Sequence, residues 1–244
     1  MKRKLVFALL VITLLLNGCG TQKDVDKETE YDEQIKTQEE GSEGKLECEI
    51  ETQESEIEIE PESQRPEPAD DELVLVVDYI PDIVIDLKYA TTDNFTGQII
   101  YENADAYLRY GTVKKLMLVQ DALKPLGYKL LIWDAYRPVE AQFKLWEICP
   151  DSTYVANPNK GYSSHSKGNT VDITLVTLEG EEVSMPTEFD DFSVAADRDY
   201  SDVSIEAGEN AQLLQDLMES AGFRGYSGEW WHYTDIVDYS VVDK

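Results

Sequence analysis

The alternation of hydrophobic and polar positions divides the chain into three parts. Residues 5–16 form an apolar stretch, residues 20–72 are rich in Glu, Gln, Thr and Ser, and apolar positions return at residue 73. From there to residue 244 they recur with the period of two that is typical of strands, or with the three-and-four spacing of helices. The pattern therefore predicts one folded domain at residues 73–244.

Within this domain the periodicity predicts a mixture of strands and helices. Strands are expected at residues 73–77, 83–87, 128–133, 171–178 and 230–237, and helices at 112–126, 139–148 and 209–220. In the fourth strand, Val171, Ile173 and Leu175 share one face, and Asp172 lies on the opposite, polar face, which predicts a half-buried strand. Because the elements do not follow a strict βαβ order, the expected fold class is α+β.

The N-terminus has the features of an export signal. Basic residues at positions 2–4 precede the apolar stretch, which is too short to span a bilayer, since spanning takes about 20 residues. Gly18-Cys19 follows and resembles the lipobox of bacterial lipoproteins. We expect residues 1–19 to be a lipoprotein signal peptide with Cys19 lipidated, so that the exported protein is anchored on the outer face of the cytoplasmic membrane. An ordinary signal peptide with an incidental cysteine is the alternative.

The charge of the chain limits its partners. Residues 20–72 contain 21 acidic and 5 basic residues and almost no aromatic ones. Such a segment cannot bury enough apolar surface to fold, which predicts a disordered acidic tether. The whole chain has a formal net charge of −29, which repels nucleic acid and anionic lipid. We therefore expect no nucleic-acid partner, and membrane contact through the lipid anchor only.

Only two histidines occur in the chain, so any chemistry that needs imidazole depends on them. His165 precedes Asp172 by seven positions, and Asp172 lies among apolar neighbours, where a carboxylate needs a cation or hydrogen-bond donors. His232 follows Glu229 by three positions and lies between aromatic residues. Taken separately, the spacing favours a surface histidine and a solvated aspartate in the first pattern and a core histidine in the second.

A zinc site is the alternative interpretation of the same residues. Two histidines and one carboxylate form a common catalytic zinc set with an open fourth position. Glu229 adds the nearby acid that a general base requires. In a regular strand, Glu229 and His232 point to opposite faces, so they can share a site only if Glu229 lies in a turn or at a bulge.

Arg137 lies in the sequence Trp-Asp-Ala-Tyr-Arg-Pro at residues 133–138. It could be a surface arginine, pair with Asp134, or stabilise the oxyanion that forms when water attacks a carbonyl. The sequence leaves these three interpretations open.

Together, the motifs resemble the D-alanyl-D-alanine dipeptidases of the VanX type. The resemblance runs in order through residues 88–97, 133–138, 163–175 and 222–233, and its most specific elements are Ser-x-His-x-x-Gly-x-x-x-Asp and Glu-x-x-His. It implies a small antiparallel sheet with flanking helices and one Zn²⁺ at the sheet. The implied roles are zinc ligand for His165, Asp172 and His232, catalytic base for Glu229, oxyanion stabilisation for Arg137, and substrate binding for Tyr89, Ser163 and Asp190, with Asp190 holding the free amine.

The activity implied by the resemblance is hydrolysis of D-alanyl-D-alanine, and the export signal leads us to expect this activity outside the membrane. Expected partners are D-Ala-D-Ala or D-Ala-terminated peptides derived from the cell wall. One alternative is a D,D-carboxypeptidase, which removes the terminal D-Ala of peptidoglycan peptides with the same metal site. The other is an inert wall-binding module, which would need neither Glu229 nor Arg137.

Overall fold

In the part of the chain that the structure describes, seven strands form two sheets. The computed structural model describes residues 66–242; the predicted signal peptide with Cys19, and the predicted tether up to residue 65, lie outside the described residues. β1 (Leu73–Leu75) pairs with β3 (Tyr107–Arg109) in an antiparallel ribbon. The larger sheet has the order β2-β4-β5-β7-β6. Its strands are β2 (Val84–Ile85), β4 (Tyr128–Asp134), β5 (Thr170–Thr177), β6 (Phe223–Tyr226) and β7 (Glu229–Asp235).

Among the described residues, three α-helices accompany the sheets: α1 (Tyr110–Leu123), α2 (Val139–Ile148) and α3 (Ile205–Ser220). The predicted bounds of α2 are confirmed. α1 buries apolar residues at the expected spacing of three and four. α3 begins four residues earlier than predicted because the hydroxyl of Ser204 accepts a hydrogen bond from the Ala207 N–H at 3.1 Å and caps the helix. Within residues 66–242, no helix has the length and apolar character needed to cross a membrane.

The mixed α+β fold is confirmed, but the sheet is not wholly antiparallel. β2 runs parallel to β4, while the other neighbours in the larger sheet are antiparallel. The chain between these two strands forms β3 and α1, and a connection of this length can return the chain in the same direction. The prediction of an antiparallel sheet is therefore wrong at this edge, where the strand is also shorter than expected.

The two central strands are covered on both faces. Every residue of β5 except the last is buried, although the sequence predicted one polar face. The same holds at the core of β7, where the consecutive residues Trp230 and Trp231 are both buried. Because successive side chains of a strand point to opposite faces, both faces must be covered. The prediction of a half-buried strand is wrong, and Asp172 is consequently buried rather than solvated.

The last residues of the predicted tether, from residue 66 to residue 72, are described by the structure and contact the start of α1. The Tyr110 hydroxyl donates a hydrogen bond to Glu67 at 2.8 Å, and the Tyr110 N–H donates to the Glu72 carbonyl, also at 2.8 Å. Lys114 forms an ion pair of 2.6 Å with Asp70. These contacts place residues 67–72 against the domain.

Candidate metal centre

A row of three residues across the central strands forms the base of the site. Asp134 on β4 is the register partner of Asp172 on β5, and Asp172 is the register partner of His232 on β7. Directly opposed residues of antiparallel strands have their side chains on the same face. The sheet therefore brings two carboxylates and one imidazole together, although 98 positions separate the first from the last.

His165 reaches this row from a short 3₁₀ helix, Ser164–Lys167, that precedes β5. The Ser163 hydroxyl caps this helix by accepting a hydrogen bond from the His165 N–H at 3.3 Å. Gly168 ends the helix in the left-handed conformation, at φ +73°, and its N–H donates to the His165 carbonyl at 3.0 Å. Ser163 thus lies next to His165 and orients its backbone, and its role in substrate binding stays a prediction.

The side chains of His165, Asp172 and His232 converge. Their nearest ligand atoms all lie within 4.8 Å of one another. Nε2 of His165 lies 3.4 Å from Asp172 Oδ2, and Nδ1 of His232 lies 3.0 Å from Asp172 Oδ1. Two imidazole nitrogens and one carboxylate oxygen are a donor set that suits Zn²⁺.

A hydrogen bond fixes which nitrogen of His165 faces the centre. Nδ1 lies 2.8 Å from the carbonyl oxygen of Ala135, which can only accept, so Nδ1 carries the proton. Nε2 is then the nitrogen available to a metal ion. A backbone carbonyl behind a ligand histidine is a common arrangement in metal sites, because it fixes both tautomer and ring orientation.

The charges of the centre favour an ionised aspartate. Burial opposes ionisation of Asp172, but His165 and His232 together hold its pKa below its ordinary value. Burial likewise opposes protonation of His165, yet the neighbouring carboxylates of Asp172 and Asp134 raise the pKa of its imidazole. A cation bound between His165, Asp172 and His232 would take the place of the proton on the imidazole as the partner of the Asp172 carboxylate.

Glu229 is the first residue of β7, next to the turn that joins β6 to β7. The register shifts here: Gly225 pairs with Tyr233, but Tyr226 pairs with Glu229. This irregularity lets Glu229 Oε2 lie 3.5 Å from Nδ1 of His232, as the sequence required. Burial raises the pKa of Glu229, while His232 acts in the opposite direction. A glutamate with a raised pKa suits a general base near neutral pH.

Arg137 is buried and firmly anchored. Its Nε and Nη2 donate to Asp134 Oδ2 at 3.1 and 2.6 Å, and its Nη1 donates to Gln142 at 2.8 Å. The Tyr101 hydroxyl donates to the other oxygen of Asp134 at 2.6 Å. The interpretation as a surface arginine is therefore wrong. Pairing with Asp134 is confirmed, and Arg137 also lines the cavity that contains His165, Asp172 and His232.

Tyr89 and Asp190 form a second polar pair in the same cavity. The Tyr89 hydroxyl donates to Asp190 Oδ2 at 3.0 Å. Burial raises the pKa of Asp190 to about 8, and the bond from Tyr89 acts in the opposite direction. Asp190 has a φ of 57°, a left-handed conformation that is uncommon for residues other than glycine. Asp190 is also among the residues that line the cavity.

All eight candidate residues other than Cys19 line one cavity of about 280 Å³: Tyr89, Arg137, Ser163, His165, Asp172, Asp190, Glu229 and His232. Sequence reasoning missed Gln142 and Tyr101, which hold Arg137 and its partner, and the carbonyl of Ala135. It also missed Tyr154 and Tyr226, which complete the cavity wall. Of these residues, only Gln142 offered a signal in the sequence, since it lies one helical turn after the Arg-Pro pair. A backbone carbonyl such as that of Ala135 leaves no signal in the sequence.

An α+β domain in which two histidines, a buried aspartate and a glutamate meet in one cavity is typical of a metallopeptidase. The chain belongs to the peptidase M15 family, the D-ala-D-ala dipeptidases, whose family model matches residues 69–243. The protein is therefore an enzyme, a peptidase of this family.

Curated proteins of similar sequence are named D-alanyl-D-alanine dipeptidases. The D-alanyl-D-alanine dipeptidase of Escherichia coli K12 is 38% identical and covers 66% of this chain and 83% of its own length. That of Enterococcus faecium is 36% identical, with 61% and 83% covered, and that of Streptomyces coelicolor is 34% identical, with 67% and 91% covered.

Solved structures give more distant likenesses. VanYB in complex with D-alanine-D-alanine has 19% identity and a TM-score of 0.35, covering 54% of this chain and 73% of that one. The LdcB LD-carboxypeptidase has 21% identity and a TM-score of 0.38, covering 70% of each chain.

Proposed function

We propose that this protein is a zinc-dependent dipeptidase that hydrolyses D-alanyl-D-alanine. The observation that carries the proposal is the convergence of His165, Asp172 and His232 beside Glu229 in one cavity. The curated relatives named D-alanyl-D-alanine dipeptidase support the choice of substrate.

The metal ligands in this proposal are His165 Nε2, His232 Nδ1 and an oxygen of Asp172. Zn²⁺ bound there would act as a Lewis acid that acidifies a water molecule and polarises the scissile carbonyl. The three side chains come from one 3₁₀ helix and two central strands, so elements with regular hydrogen bonding carry all three ligands.

Glu229 is the proposed proton carrier. It accepts a proton from the attacking water as the oxygen–carbon bond forms at the carbonyl, and it delivers that proton to the departing nitrogen as the C–N bond breaks. Arg137 faces the carbonyl oxygen on which negative charge develops. Its anchors, Asp134 and Gln142, keep the guanidinium in place, so little reorganisation is needed during the reaction.

Tyr89 and Asp190 are the proposed site for the substrate's free amine. A dipeptide carries an ammonium group close to its scissile bond, and an ammonium is the partner that a buried carboxylate requires. Ser163 lies on the wall of the same cavity and contributes a hydroxyl to substrate binding. A peptide extended at its N-terminus would replace the ammonium by an uncharged amide.

The test compares D-Ala-D-Ala, its N-acetylated form and longer D-Ala-D-Ala-terminated peptides, each with the zinc-loaded protein and with a chelator. We expect cleavage of the free dipeptide, loss of activity with the chelator, recovery on adding Zn²⁺, and a much lower rate on the N-acetylated form. Equal rates on the free and acetylated dipeptides would instead identify a D,D-carboxypeptidase. A zinc-loaded protein that cleaves none of these peptides would identify an inert wall-binding module.

We also propose that the enzyme acts outside the cell membrane as a lipoprotein anchored through Cys19. The apolar stretch followed by Gly18-Cys19 supports this location. Metabolic labelling with a radioactive fatty acid tests it. Label should enter the protein and be lost in the Cys19→Ala variant; an unlabelled wild-type protein would contradict the proposal.

A further inference from the structure

The β6–β7 hairpin carries Glu229 and His232, and its strands pair irregularly. After the pair Gly225 and Tyr233, the next residue of β6, Tyr226, pairs with Glu229. A regular antiparallel ladder would have placed Tyr226 opposite His232. Residues 230–232 of β7 therefore have no register partner on β6, and this irregularity allows the acid and the imidazole to approach each other.

Arg198 bridges the residues that the register shift has separated. Its Nε donates to the Tyr226 carbonyl at 2.8 Å and its Nη2 donates to the His232 carbonyl at 2.9 Å. Its Nη1 donates to the Tyr233 hydroxyl at 3.1 Å, and the guanidinium lies 4.4 Å from the centre of that ring. The backbone N–H of Arg198 donates to the Ser227 carbonyl in the hairpin turn at 3.3 Å. One residue thus supplies donors to both ends of the irregular part of the hairpin.

Gly225 leaves the space that Arg198 needs. A Cβ atom at position 225 would overlap the guanidinium, with Nε and Nη2 of Arg198 at 2.6 and 2.7 Å. A Cβ atom cannot form a hydrogen bond with these nitrogens and essentially never lies within 3.0 Å of another heavy atom, so any side chain at this position would displace the arginine. The glycine and the arginine therefore form one unit beneath the hairpin.

We propose that Arg198 is a positioning residue for this enzyme: it holds the irregular hairpin in the form that brings Glu229 and His232 to one site. Without its donors, two carbonyls lose their partners, and the regular ladder that would satisfy them turns Glu229 and His232 to opposite faces. Lysine cannot replace Arg198, because an ammonium is a point donor, whereas the planar guanidinium spans both carbonyls. This inference rests on the proposed function, since hydrolysis of D-Ala-D-Ala is one of its readouts.

The first experiment compares Arg198→Lys and Arg198→Ala with Arg224→Ala in the full-length protein. Arg224 lies on the same hairpin but is exposed, so it controls for the loss of a positive charge. We expect kcat for D-Ala-D-Ala to fall about 10- to 100-fold in both Arg198 variants, with KM changed less than about threefold. Zinc affinity, measured by competition with a chelator, should fall with kcat, because His232 moves. Arg224→Ala should retain the wild-type values.

A double-mutant cycle with Gly225→Ala tests the direct link. Alone, Gly225→Ala should lower kcat about as much as Arg198→Ala, because it displaces the guanidinium. In the Arg198→Ala background it should add little, since the clash is gone. If Arg198→Ala fails to fold, Arg198→Lys and Gly225→Ala are compared in the same way.

Three results would overturn the proposal: additive effects in the cycle, wild-type kcat and zinc affinity in Arg198→Lys, or an equal loss in Arg224→Ala. A wild-type protein that cleaves no D,D-peptide would contradict the proposed function instead. Zinc affinity would then still report on Arg198, because it can be measured without turnover.

Discussion

The Tyr89 hydroxyl donates a hydrogen bond of 3.0 Å to the carboxyl group of Asp190, which lies in a segment 101 residues away along the chain. Tyr89 is buried beneath this carboxyl, and its ring packs against Phe189 with centroids 5.6 Å apart. The tyrosine thus fixes one oxygen of Asp190 from below. In the proposed function, the other oxygen of Asp190 binds the free amine of the substrate.

Asp190→Asn should weaken the binding of substrates with a free amine. Asparagine has the same shape and tolerates the left-handed backbone, so the fold should persist. The loss of a charge-assisted contact is expected to lower kcat/KM for D-Ala-D-Ala by about 10-fold or more, chiefly through KM. Steady-state kinetics on the free and N-acetylated dipeptides checks this. A similar loss on both substrates would mean that Asp190 does not bind the amine.

The stability of the metal-free protein should fall as the pH rises from about 4 to about 8. Burial raises the pKa of Asp190 from 3.8 to about 8. Between these values the folded protein binds a proton that the unfolded chain has released, so raising the pH favours unfolding. Urea unfolding with a chelator at several pH values should show this decline, and the decline should be smaller in Asp190→Asn. Identical pH profiles would contradict the assignment of a raised pKa to this group.

Glu229→Gln should separate catalysis from metal binding. The amide keeps the size of the side chain but cannot carry a proton, so kcat should fall about 10²- to 10⁴-fold. Zn²⁺ should remain bound, because Glu229 is outside the set formed by His165, Asp172 and His232. Kinetics and metal analysis of the same preparation test both points. A variant that retains wild-type turnover would exclude Glu229 as the base, and one that loses zinc would make it a ligand.

Much of the fold was predictable because its signals are local. The periodicity of residues 139–148 fixed α2, and the alternation around residue 172 located β5. Pairing direction was not predictable, since alternation in a short strand such as β2 is the same in parallel and antiparallel sheets. Burial on both faces of β5 depends on elements far away in the chain, and no local pattern records it.

In the candidate site, too, features with a local sequence signal were predictable, and contacts with distant parts of the chain were not. Spacing identified the need for a bulge between Glu229 and His232, because a regular strand separates them. It could not identify Arg198, which lies about thirty positions earlier in a segment without regular structure and acts through backbone carbonyls. Backbone acceptors carry no sequence signal, so the carbonyl of Ala135 behind His165 was equally invisible.

Gly168→Ala should destabilise the domain and disturb the metal centre. Gly168 has a φ of +73°, and a Cβ there would lie 2.7 Å from Cδ2 of Leu73. The left-handed conformation and the clash together should cost on the order of 2–4 kcal/mol of unfolding free energy. Because Gly168 ends the 3₁₀ helix that carries His165, zinc affinity should fall as well.

Substitutions at two other glycines separate the cost of the left-handed conformation from the cost of the clash. Gly97 also has a positive φ, of +63°, but nothing lies within 4 Å of its added Cβ, so Gly97→Ala should cost only the conformational term of about 1–2 kcal/mol. Gly161 has open space and no positive φ, so Gly161→Ala should change stability by less than about 1 kcal/mol. Denaturant unfolding of the three variants measures these differences. If Gly168→Ala proved no worse than Gly97→Ala and bound zinc normally, the packing of Leu73 against Gly168 would have no part in positioning His165.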